Sequence, residues 1–197
     1  MNNLWKSGTK KAFYGYIAQL VISLVGGFII SLATLGSVAS SLASGDAPAG
    51  AIIMPIIVAL LAVAGLVYYV MGITEMKKAA ANTNLAVATS RLFLGAVLSI
   101  CGQVVAIIPV IGIVGSLLSL AGFIVAWTGY SQIKTNANDA NAKFGGTKLS
   151  TSALLSVIGA VVAIIPVLGW IAGPILSIIA LVFAIQGWKA LANSELA

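Results

Sequence analysis

The stretch that decides the fold is residues 92–133, LFLGAVLSICGQVVAIIPVIGIVGSLLSLAGFIVAWTGYSQI, which carries no charged side chain. A helix needs about 20 apolar residues to cross a hydrocarbon core of ~30 Å, so this run has room for two crossings. It breaks in the middle, at Ile107-Ile108-Pro109-Val110-Ile111-Gly112, where proline and glycine interrupt a helix. The reading is a helical hairpin with spans at about 92–108 and 113–133.

The pattern recurs downstream. Residues 153–188 are again free of charge and break at Ile164-Ile165-Pro166-Val167-Leu168-Gly169. Sliding one run over the other sets Ala96, Ser99, Gly102 and Pro109 on Ala153, Ser156, Gly159 and Pro166. One further residue of shift sets Gly115, Ser119 and Gly129 on Gly173, Ser177 and Gly187. Upstream, the apolar runs 15–35 and 51–73 form a third pair, aligned more weakly through Ala64-Gly65, Gly72 and Lys77 and joined by a longer loop at 37–49. Self-similarity at a fixed period signals a repeated unit. The expected architecture is an all-α integral membrane protein with six transmembrane helices, at about 13–36, 50–74, 92–108, 113–133, 151–165 and 170–190. These form three tandem hairpins, about 13–74, 92–133 and 151–190, in a single transmembrane domain over 1–197. Pro109 and Pro166 are read as stopping the third and fifth spans. Pro55 and Pro174 are read as lying in the first turns of the second and sixth, where a missing N–H is tolerated.

Composition agrees with this architecture. The chain is 60% hydrophobic and 7% charged, whereas a soluble domain is about 25% charged. Lys6, Lys10 and Lys11 ahead of a long apolar run mimic a secretory signal, with Val38-Ala39-Ser40 as a small-residue site. The run exceeds a signal core of ~7–15 residues, so it is read as the first span.

The ten basic residues orient the chain. Lys6, Lys10, Lys11, Lys77, Lys78, Arg91, Lys134, Lys143, Lys148 and Lys189 all fall on one side of the six-span arrangement, and the other side carries Asp46. The positive-inside rule then puts both termini in the cytoplasm. Trp5, Phe13, Tyr14, Tyr16, Phe93, Tyr130 and Trp188 fall near that same interface and read as an aromatic belt, with Trp170 on the opposite side. The polar stretches 79–91 and 134–152 read as solvated linkers, the first starting as a short interfacial helix.

Enzyme chemistry finds few candidates. The chain has no histidine, which removes the usual general base, zinc ligand and triad member. No phosphate-cradling glycine loop appears. No catalytic, cofactor-binding or metal-ligating residue is expected. Glu75, beside Lys77 and Lys78, reads as a solvated helix end, with a proton or cation relay as the sharper reading. Cys101 reads as a small buried hydrophobe.

Polar and small residues inside the spans remain. Gln19, Gln103, Thr128 and Gln186 read either as interhelical contacts or as the lining of a polar pathway. Gly169, Gly173 and Ser177, with Gly115 and Ser119, recur every four residues and form helix-packing stripes that let backbones approach closely.

Three tandem hairpins resemble the plan of mitochondrial carriers, but Pro109 and Pro166 precede Val-Ile-Gly and Val-Leu-Gly where that family has acidic and basic residues, so the resemblance stops at the plan. The chain looks more like small prokaryotic integral membrane proteins with Ile/Leu/Gly-rich hairpins. The expected function is non-enzymatic: a structural or accessory subunit of a membrane assembly in a prokaryotic inner (plasma) membrane. Its partners would be the lipid bilayer and other membrane subunits or a second copy, with no nucleic acid. The alternative is a small transporter or channel for neutral or lipophilic solutes.

Overall fold

The computed structural model describes the backbone of residues 2–44, 50–106, 112–162 and 166–196, and most side chains within them outside 26–44, 50–56 and 166–171. The regular secondary structure of those residues is all helix, with no strand among them. The helices are α1 (Asn2–Ser44), α2 (Gly50–Ala79), α3 (Ala86–Ala106), α4 (Gly112–Asn136), α5 (Ala140–Val162) and α6 (Pro166–Ala192). Among the described residues, four segments are long and apolar enough to cross a membrane: Leu60–Ala79, Ala86–Val105, Ile113–Asn136 and Ile175–Ala192.

The helices overrun the expected spans. α1 continues through Ser44 into the expected 37–49 loop, of which residues 45–49 lie outside the described residues. Its 43 residues correspond to about 65 Å of helix at 1.5 Å per residue, about twice a hydrocarbon core. The expected linker 79–91 contracts to residues 80–85, since Ala86–Arg91 belong to α3. The expected linker 134–152 contracts further: α4 runs to Asn136 and α5 starts at Ala140. Asp139 is the reason. Its Oδ1 accepts the Ala142 N–H at 2.8 Å, the N-cap bond that satisfies an otherwise orphaned donor. Pro166 belongs to α6, and the residues just before it, 163–165, where the fifth span was expected to stop, lie outside the described residues. Pro174 consequently lies past the first turn of α6, where its missing N–H removes an intrahelical bond. Pro109 lies outside the described residues.

The chain divides into two compact units, residues 14–69 and residues 1–13 with 70–197. In the smaller unit α1 packs on α2. A Cβ on Gly15 would stand 2.5 Å from the Tyr69 nitrogen, and Gly65 faces Ala18 and Gln19. In the larger unit α3 packs on α4, α4 on α5 and α5 on α6. Large apolar side chains line the surface, Ile113 at 78% exposure and Ile178 at 62%, the inversion expected where lipid is the solvent.

Candidate functional site

The fully enclosed side chains of the larger unit are concentrated where helix ends converge. Trp5, Thr9, Ala12, Ile73, Met76, Ala80, Leu92, Ile133, Trp188, Leu191 and Ser194 are at most 1% exposed. They come from the start of α1, the end of α2 and the residue after it, the first half of α3, the ends of α4 and α6, and the tail beyond α6. Trp5 and Trp188 are therefore core residues and not parts of an interfacial belt. Tyr130 packs edge-on to Trp188 with centroids 6.1 Å apart.

Glycines make this convergence possible. Gly8 of α1 and Gly72 of α2 lie backbone to backbone: a Cβ on Gly8 would sit 2.7 Å from the Met76 nitrogen and 2.8 Å from the Gly72 carbonyl. Gly145 and Gly146 place α5 between two partners. A Cβ on Gly145 would stand 2.8 Å from the Gly187 carbonyl and 2.8 Å from Leu191 of α6, and one on Gly146 would stand 2.5 Å from the Lys134 nitrogen and 3.0 Å from the Tyr130 carbonyl of α4. The stretch expected to be a linker thus lies inside α5, packed closely between α4 and α6 at Gly145 and Gly146. Neighbouring glycines project in different directions around a helix, so this pair serves two interfaces.

Polar bonds tie the same region together. The Trp5 indole Nε1 donates to Ser194 Oγ at 3.0 Å in a buried bond. Lys6 pairs with Glu195 at 2.6 Å, and Leu196 N–H donates to Asn2 Oδ1 at 3.0 Å. The tail is so held against the start of α1. The Glu195 carboxyl lies below the ordinary range because the Lys6 ammonium bonds to it. Lys11 of α1 pairs with Glu75 of α2, both side chains largely enclosed at 27% and 20% exposure. This corrects the reading of Glu75 as a solvated end balanced by its own helix. Lys77 instead lies over the Phe93 ring, 4.7 Å from its centroid. Asn84 donates its amide to the Asn136 carbonyl at the end of α4. Trp127 Nε1 donates to Ser150 Oγ at 3.0 Å, and Ser150 also bonds Ser131 at 3.0 Å, linking α4 to α5.

The polar residues singled out from the sequence take separate places. Gln19 Nε2 donates to the Ala62 carbonyl at 2.5 Å, an α1–α2 bond. Thr128 Oγ1 donates to the Val125 carbonyl of its own helix at 2.7 Å. Gln103 and Gln186 are exposed on α3 and α6. Cys101 is also exposed, contrary to its expected burial, because the packed face of α3 runs through Gly95, Ser99 and Gly102. Gly115 and Ser119 of α4 meet that face. A Cβ on Gly102 would stand 2.6 Å from the Gly115 carbonyl, and Ser119 Oγ lies 3.4 Å from the Ser99 carbonyl it donates to. Gly122 meets Ser99 and Gly95 similarly. Ser177 is exposed on α6, while the surroundings of Gly169 and Gly173 and the side chain of Trp170 lie outside the described residues.

The sequence reading passed over Gly8, Gly15, Gly145, Gly146 and the Lys11–Glu75 pair. A signal existed for the first two: Gly8, Ala12 and Gly15 fall on one helical face. Chemically, the region offers ion pairs, indole and hydroxyl donors and amides. Among the described residues no group of three potential metal ligands occurs. No protein-family model, curated protein or solved structure matches the chain.

Proposed function

We propose that this chain is a non-enzymatic multi-pass membrane protein that serves as a structural or accessory subunit of a membrane assembly. In this reading it crosses a prokaryotic inner membrane six times, as three hairpins, with both termini in the cytoplasm. The observation that carries it is the use made of polar groups between helices. Gln19, Ser99, Ser119, Ser131, Ser150 and Ser152 are engaged in helix-to-helix contacts, the last through a buried 2.6 Å bond to the Ala180 carbonyl. Such bonds hold a bundle together at ~0.6–2 kcal/mol each. The one described carboxylate that lies between two of the long helices, Glu75, is held in an ion pair with Lys11.

The test is reconstitution of the full chain in liposomes loaded with a panel of neutral and lipophilic solutes, beside isolation from native membranes in mild detergent. The reading expects flux equal to that of empty liposomes, and one defined membrane protein or a second copy recovered in fixed stoichiometry. Solute movement clearly above the empty-liposome rate would replace it with a transporter.

A further inference from the structure

The cations in this chain outnumber the carboxylates, ten to four. The described carboxylates are already engaged: Glu195 with Lys6, Glu75 with Lys11, and Asp139 with the Ala142 N–H. Lys77 lies over Phe93, and Lys148 lies 4.3 Å from the Phe183 centroid. Six cations remain, Lys10, Lys78, Arg91, Lys134, Lys143 and Lys189, all exposed and without an ion pair among the described residues. They belong to the helix segments that converge around Trp5, Trp188 and the glycine contacts, so their charges share one end of the larger unit.

Internal dipoles neutralise little of this. Lys78, Lys134 and Lys189 sit in the last turns of α2, α4 and α6, but a helix C-terminus supplies only about half a negative charge. Lys143 lies in the first turn of α5, where the helix end is itself positive.

Apolar surface decides the kind of counter-ion. Arg91 has Val87 one turn before it and Leu94 one turn after it on the same face of α3, exposed by 56% and 50%. Phe144, next to Lys143, is 50% exposed. Cations set among outward-facing apolar side chains fit the boundary between acyl chains and headgroups, where long basic side chains reach the charged layer while their stems stay in the apolar one. A nucleic acid would leave that apolar surface uncovered.

We infer that this end of the bundle selects anionic phospholipid headgroups, with Lys10, Lys78, Arg91, Lys134, Lys143 and Lys189 as their counter-charges. The inference rests on the membrane reading above. The test uses the full chain in phosphatidylcholine bilayers with spin-labelled phosphatidylglycerol or phosphatidylcholine as probe. The expected result is a preference for phosphatidylglycerol of about fivefold at low salt, falling toward unity at 1 M salt, where the Debye length is about 3 Å. The K134Q/K143Q/K189Q variant loses most of the preference, whereas K134R/K143R/K189R keeps it. Unchanged helical circular dichroism in both variants establishes that the fold survives; if the Gln variant misfolds, the salt dependence of the native chain and the Arg variant decide. Equal association of the two probes with an inserted protein overturns this inference alone. Inorganic phosphate that abolishes the preference when chloride at equal ionic strength does not would point to a free-phosphate site and also overturn it. Release of the chain from vesicles by alkaline carbonate would overturn the membrane reading and this inference with it.

Discussion

At the scale of single residues, a buried bond joins Trp5 to Ser194 across nearly the whole chain. The indole N–H is enclosed and donates to Ser194 Oγ, and a buried donor left without an acceptor costs about 1–3 kcal/mol. S194A is therefore expected to lose that much stability in a detergent unfolding titration followed by circular dichroism, and S194T to lose less. The neighbouring Lys6–Glu195 pair gives the tail a pH dependence. Glu195 has a lowered pKa when paired, so the folded form holds the proton less readily than the unfolded one. The contribution is present above the ordinary glutamate value of about 4.3 and disappears as pH falls through the lowered folded value. Hydrogen exchange of residues 190–196 should quicken in that acid window beyond the intrinsic trend, and E195Q should remove the pH dependence. Neither contact was legible in the sequence. Trp5 and Ser194 are separated by nearly the whole chain, and a tryptophan near a basic N-terminus reads equally well as a membrane anchor.

At the scale of elements, glycine sets how closely helices approach. Gly146 has no room for a Cβ, with the Lys134 nitrogen 2.5 Å from where it would lie, whereas the nearest atom to a Cβ on Gly159 is Leu176 Cβ at 3.6 Å. G146A is expected to destabilise by about 1–3 kcal/mol through overpacking against backbone that cannot yield. G159A is expected to be neutral or to gain up to about 1 kcal/mol of helix propensity. Unfolding titrations of the two variants side by side check this. The middle parts of α3, α4 and α6 were legible because a charge-free apolar run has few alternatives to helix in lipid. The ends were less so. Asp139 preceding Ala140-Asn141-Ala142 is a capping signal, yet Gly145-Gly146 reads as a flexible linker to local propensity. In the fold, contacts to α4 and α6 outweigh that propensity.

At the scale of the whole molecule, the proposed topology makes a direct prediction. In a C101S background, K10C, K78C, K143C and K189C introduced one at a time should react with a membrane-impermeant thiol reagent from the same side of sealed vesicles. Labelling of any one from the opposite side would remove the six-span arrangement. The sequence by itself determined that the chain is helical and apolar enough to cross a membrane repeatedly, because hydrocarbon admits few other structures and charge is excluded from long stretches. Tertiary structure alone decided which aromatics are core, which lysine Glu75 pairs with, and which glycines carry interfaces. Those outcomes depend on which helix faces meet, and residues as far apart as Trp5 and Ser194 acquire their roles only when distant segments come within bonding distance.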